Sequence, residues 1–210
     1  MQWRDFLILV LGWSFGCFSP LIADLLQRPY RRRQLQKSIF VECRELRYRL
    51  ACFVWIIENN REEFNREINI WVENILLSDK GPYEKFDVKE TVSKWLEFTD
   101  EEIQAAKTIK PKWETLKLKK FNLSFLNSQI PSLHLFSPEF QRMCHEILGR
   151  IATINEEIDV ARFYYEKTFD NLSETNRAII LNNSRQTYEH IRMFAQDTAD
   201  KIGILLTLEK

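Results

Sequence analysis

The side chains best suited to hold a metal or act as nucleophiles are three histidines, His134, His145 and His190, and four cysteines, Cys17, Cys43, Cys52 and Cys144. Their spacing argues against both chemistries. No HExxH and no ExxH occurs, so the signatures of zinc proteases and di-iron bundles are absent. Cys144 and His145 are adjacent, and neighbours on a helix point about 100° apart, a poor geometry for sharing one ion. No two cysteines form a CxxC. The thiols read as reduced, small apolar side chains rather than as a disulfide framework.

Carboxylates are plentiful. Glu156, Glu157, Asp159 and Glu166 lie in one stretch, and Glu189, Asp197 and Asp200 in another. General-acid chemistry needs a cleft and a shifted pKa, whereas helical carboxylates usually form a solvated face. There is no Walker A loop, GxGxxG or GxSxG, and with 5 glycines a glycine-built phosphate cradle has no place to form. No catalytic residue, cofactor or metal is expected. An enzyme with an unrecognised site between helices, using carboxylates or His145, stays an alternative.

The elements that would position any site are helical. Only 5 Gly and 6 Pro interrupt 210 residues, and 45% of the chain is hydrophobic. The net charge of zero, from 30 basic and 30 acidic residues, argues against nucleic acid as partner. The charge is nevertheless uneven. Between Gln27 and Leu50 lie eight basic residues (Arg28, Arg31, Arg32, Arg33, Lys37, Arg44, Arg47 and Arg49), opposed only by Glu42 and Glu45.

Phe6 to Ala23 is a run of 18 residues without a charge. As a helix it spans about 27 Å, close to the hydrocarbon thickness of about 30 Å. Trp3 and Tyr30 stand at the depth of interfacial anchors. A core helix and a cleaved signal peptide are the rival readings. The n-region, MQWRD, and the missing small-x-small site speak against cleavage. Arg28, Arg31, Arg32, Arg33 and Lys37 follow the run directly, so the positive-inside rule puts the N-terminus outside and the following domain in the cytoplasm. The same five side chains can bind anionic lipid headgroups, each adding about 1 kcal/mol. Gly12 and Gly16 form a GxxxG that would let two such helices approach closely, and Ser19-Pro20 is a candidate kink.

Beyond Pro29 the pattern is amphipathic. Ile39, Cys43, Leu46, Leu50, Phe53 and Ile57 share one helical face, which predicts a helix from Arg33 to about Glu58. A further helix carries Phe64, Ile68, Trp71, Ile75 and Leu76, with a stop at Ser78 to Pro82. Asp87 to Glu97 is a short helix with Asp87 as cap, and Thr99 with Glu102 forms a capping box for another, to about Thr108. Residues 109–136 read as an irregular connection packed on the bundle. Ser137-Pro138-Glu139 starts a long helix whose Phe140, Cys144, Ile147, Ile151, Ile154, Ile158, Ala161 and Tyr165 repeat at near-heptad spacing. Ser173 caps the last helix, which carries Ile180, Thr187, Ile191, Phe194, Thr198 and Ile202. Asn155, Asn176, Asn182 and Asn183 are candidates for fixing helix register.

The chain is therefore expected to be all-α: a single transmembrane helix within residues 1–28, then an antiparallel three- or four-helix bundle of long helices over 29–210. The expected function is protein–protein interaction as a membrane-anchored scaffold or sensor, with the lipid bilayer and an unknown protein or a second copy as partners. A membrane-active effector is the alternative. In the scaffold reading the Ile147–Ile158 face is the partner surface.

Overall fold

The computed structural model describes residues 3–61, 64–78, 88–109 and 116–208; within 4–26 it describes side chains only at Val10, Gly12, Trp13 and Gly16. The order is α1 (Trp3–Asn59), α2 (Arg66–Ser78), α3 (Val88–Glu97), α4 (Asp100–Ile109), α5 (Ser124–Ser128), a 3-10 helix (Ile130–Leu135), α6 (Pro138–Lys167) and α7 (Glu174–Thr207). Among the described residues there is no strand.

The apolar run and the first bundle helix are one element, since α1 continues through Pro20 and Pro29 without a break. Residues 27–34 of α1 are exposed, and burial begins around Leu35 and is complete at Ile39 and Phe40. From there Cys43, Leu46, Leu50, Val54 and Ile57 are buried, as their spacing predicts. Among the described residues no helix is long and apolar enough to cross a membrane. The described residues thus do not support the expected span over 6–23, and most side chains of that run lie outside them.

Local signals set the helix starts. Ser137 Oγ accepts from the amide of Phe140 at 3.3 Å, and Ser173 Oγ from that of Asn176 at 3.4 Å. The Thr99–Glu102 capping box closes both ways, at 2.8 and 3.3 Å. The second helix starts later than its apolar pattern suggests. Asn65 Oδ1 caps it by accepting from Ile68 N at 3.0 Å, so Phe64 falls outside and packs on Trp95 instead. The Asp87 cap and the stop beyond Ser78 lie outside the described residues.

Helix α7 is the centre of the bundle, with α1 and α6 packed along it. Arg47 Nε of α1 donates to Ala199 O of α7 at 3.1 Å, and its guanidinium lies over Gly203. A Cβ at Gly203 would come within 3.1 Å of Arg47, so glycine there leaves room for the crossing. Farther along, Arg61 meets Glu189, so the two helices run antiparallel. The α6 stripe from Phe140 to Ala161 is buried throughout. On α7, Thr187, Ile191, Thr198 and Ile202 are buried as predicted, but Phe194 is exposed and Tyr188, Ala195, Ala199 and Leu205 are buried beside them. The stripe on α7 is broader than one spacing because two helices cover it.

The irregular connection is a strap across this bundle. Leu116, Leu118, Phe121, Leu123, Leu126, Leu133 and Phe136 are buried. Three polar side chains from three helices pin its backbone. The Tyr188 hydroxyl accepts from Leu116 N at 2.7 Å and donates to Leu116 O at 2.9 Å. Asn155 accepts from Phe121 N at 2.8 Å and donates to Phe121 O at 2.9 Å. Glu42 accepts from Phe125 N at 3.0 Å and Leu126 N at 2.7 Å, which caps α5 with a negative charge. Asn155 thus fixes the strap and not a helix register.

Candidate functional site

The collar that follows the apolar run concentrates basic side chains on the described surface. Arg28, Arg31, Arg32, Arg33 and Lys37 are all exposed. Among the described residues no carboxylate pairs with them, and Glu42, the first acid after the collar in sequence, is spent on α5. Arg31 reaches only Gln27 Oε1, at 3.4 Å, and the Arg32 guanidinium lies 5.8 Å from the Phe136 ring centre. Arg61, Arg66, Arg150, Arg162 and Arg192, by contrast, each sit in an ion pair.

The 3-10 helix folds back against the collar and makes two grooves. One, of about 640 Å³, lies between Arg28, Arg31 and Ser38 on α1 and Gln129, Ser132 and His134 opposite. The second, of about 520 Å³, adjoins Arg28, Arg32 and Arg33, and Leu135 lines both. Lys37 lines neither. His134 donates from Nδ1 to Pro131 O at 2.6 Å, which fixes the ring and leaves Nε2 for another partner. Nothing in the sequence around His134 announces a cleft shared with residues about a hundred positions away.

Gly12 and Gly16 are exposed, and among the described residues nothing beyond the helix's own backbone lies within 4 Å of a Cβ placed there. Cys144 is buried while His145 is exposed, so the two diverge as expected. Burial raises the thiol pKa of Cys43 far above its ordinary value, that of Cys52 to about 11 and that of Cys144 to about 12. These thiols are poor nucleophiles at neutral pH. Three of the helical carboxylates are struts: Asp159 pairs with Lys120, Asp197 with Arg150, and Asp200 accepts from Trp71 Nε1 at 2.8 Å. Glu146 is held below the usual carboxylate range by its bond to Lys201, helped by Arg150. Among the described residues no three metal-ligating side chains gather.

Among the described residues one carboxylate is buried, Glu58, which the sequence analysis does not single out. It is 1% exposed at the end of α1, with Oε2 3.4 Å from Arg61 and Oε1 without a partner among the described residues. Lys107 of α4, itself buried, donates to Glu58 O at 3.3 Å and Arg61 O at 3.2 Å and so closes the helix end. Burial raises the Glu58 pKa; Arg61, Arg192 and Lys107 pull it back and Glu189 pushes it further up. A folded pKa above the unfolded one means that this group's stabilising contribution is complete below the unfolded value. It is lost as pH rises through the folded value. Glu58→Gln is therefore expected to raise the thermal midpoint at pH 7, with a gain that shrinks toward pH 5. Melting curves at both pH values check this; a variant less stable at both would make ionised Glu58 a net anchor.

Comparison with protein-family models, with curated proteins and with solved structures found no match to this chain.

Proposed function

We propose that the chain is a single-pass, membrane-anchored helical protein that works by protein–protein contact, with its bundle on the cytoplasmic side. The observation that carries this reading is the course of α1. One unbroken helix leads from the apolar run, through an exposed basic collar, into the buried face that begins at Ile39. A helix that left the bundle merely to end in water would have no use for 18 uncharged residues. The order apolar, basic, amphipathic is what a helix crossing from lipid through headgroups into a folded domain requires.

The partner surface is not the Ile147–Ile158 face, because Ile147, Ile151, Ile154 and Ile158 are consumed by the chain's own core. The opposite end of the bundle is the better candidate. Helix α7 continues from Glu189 back to Glu174, past the last turn of α1. With the end of α6 it forms a hairpin whose Phe163, Phe169 and Ile179 are 53%, 73% and 54% exposed. Such side chains at the end farthest from the collar suit contact with a second protein.

The test is extraction of the full chain from membranes with high salt and with alkaline carbonate, beside a chain starting at Arg33. The full chain is expected to resist both washes, and the shorter one to be released and helical. Release of the full chain by carbonate would remove the anchor from the reading.

A further inference from the structure

The groove between α1 and the 3-10 helix has a shape and charge that the collar alone does not explain. A topology signal needs only basic residues after the span, with no wall opposite them. Here a wall exists, and it is rigid. Leu133 and Phe136 are buried on either side of His134, and Glu42 holds the preceding turn, α5. We infer that this groove is a binding site for a phosphomonoester group carried on a lipid headgroup.

The chemistry follows from the donors. Arg28 and Arg31 offer planar forks that match phosphate oxygens two at a time. Across the groove stand the hydroxyl of Ser132 and the His134 ring, which is fixed through its Nδ1–H and donates from Nε2 only as the imidazolium. Among the described residues no carboxylate lines the groove. Leu35 and Leu135 supply apolar wall for the carbon frame that bears the phosphate.

The position of the groove selects the source. The headgroup layer adds roughly 5–8 Å to each side of the hydrocarbon core. At about 1.5 Å per residue, Arg28 lies about 8 Å beyond Ala23 and Arg31 about 12 Å beyond it. The groove therefore opens at the outer edge of the headgroups. A phosphodiester next to glycerol lies too deep to enter it. A phosphomonoester borne outward on a headgroup ring reaches it. This choice of source rests on the proposed anchor, whereas the phosphate chemistry stands on the groove itself.

The experiment uses the full chain in detergent micelles at constant ionic strength, titrated with dioctanoyl phosphatidylinositol monophosphate, dioctanoyl phosphatidylserine, inositol phosphate and inorganic phosphate. Binding is read by calorimetry. The monophosphorylated lipid should bind about tenfold or more tightly than the other three. The pair Arg31→Gln with His134→Gln should lose about tenfold or more of that affinity. The pair Arg33→Gln with Lys37→Gln, which removes charge outside this groove, should lose less than about threefold. Circular dichroism of each variant without ligand confirms that it is folded. Equal losses in both pairs, or equal binding of phosphatidylserine, would overturn the site in favour of diffuse attraction. Inositol phosphate binding as tightly as the lipid would overturn the lipid source. None of these readings needs a bilayer, so failure of the anchor shows in the carbonate wash and failure of the groove shows here.

Discussion

Leu50→Ala is expected to cost about 2–5 kcal/mol and lower the thermal midpoint by about 5–15 °C. Leu50 is fully buried midway along the packed part of α1, on the stripe shared by Cys43, Leu46, Val54 and Ile57. Removing three carbons there leaves a cavity that rigid helices close only in part. The loss would loosen α1 from α7, the contact that joins the basic collar to the bundle. Leu50→Met, which nearly conserves volume, should cost less than about 1.5 kcal/mol. Thermal denaturation followed by far-ultraviolet circular dichroism measures both. A loss below about 1 kcal/mol in the alanine variant would mean that α1 is not docked as described.

Asn155→Ala should act more locally. Both polar ends of this side chain bond the backbone of Phe121, so the alanine leaves an amide and a carbonyl without partners. The expected cost is about 2–4 kcal/mol, reduced to the extent that water reaches the two groups. The strap is not spread over many helix turns, so the loss should appear as local opening before global unfolding. Hydrogen exchange is the direct readout. The Phe121 amide should lose protection, while amides in the middle of α6 and α7 keep theirs. Asn155→Asp, which keeps the acceptor and loses the donor, should fall between. Unchanged exchange at Phe121 would show that its neighbours Leu118 and Leu123 hold the strap by apolar burial alone.

Much of the secondary structure was legible because its causes are local. Ser137, Ser173 and the Thr99–Glu102 pair each act within one helical turn, and each does so in the fold. Periodicity marked the buried stripes of α1 and α6 for the same reason: a helix with one packed face repeats every three or four residues. It misplaced Phe194 because α7 is covered by two neighbours and its buried arc is wider than a single stripe. The order of apolar run, basic collar and amphipathic helix was equally plain, and it bears the proposed anchor.

What only the tertiary structure decided are the contacts between residues far apart in the chain. Glu42 caps a helix more than eighty residues away, Tyr188 and Asn155 clamp the strap, and Lys107 closes the end of α1. His134 comes to the collar only because the strap doubles back over α1. Glu58 is buried where Lys107 of α4 and Glu189 of α7 each reach the end of its helix. A lone polar side chain in a sequence carries no sign of its partner, since hydrogen bonds and burial depend on distance in space and not along the chain.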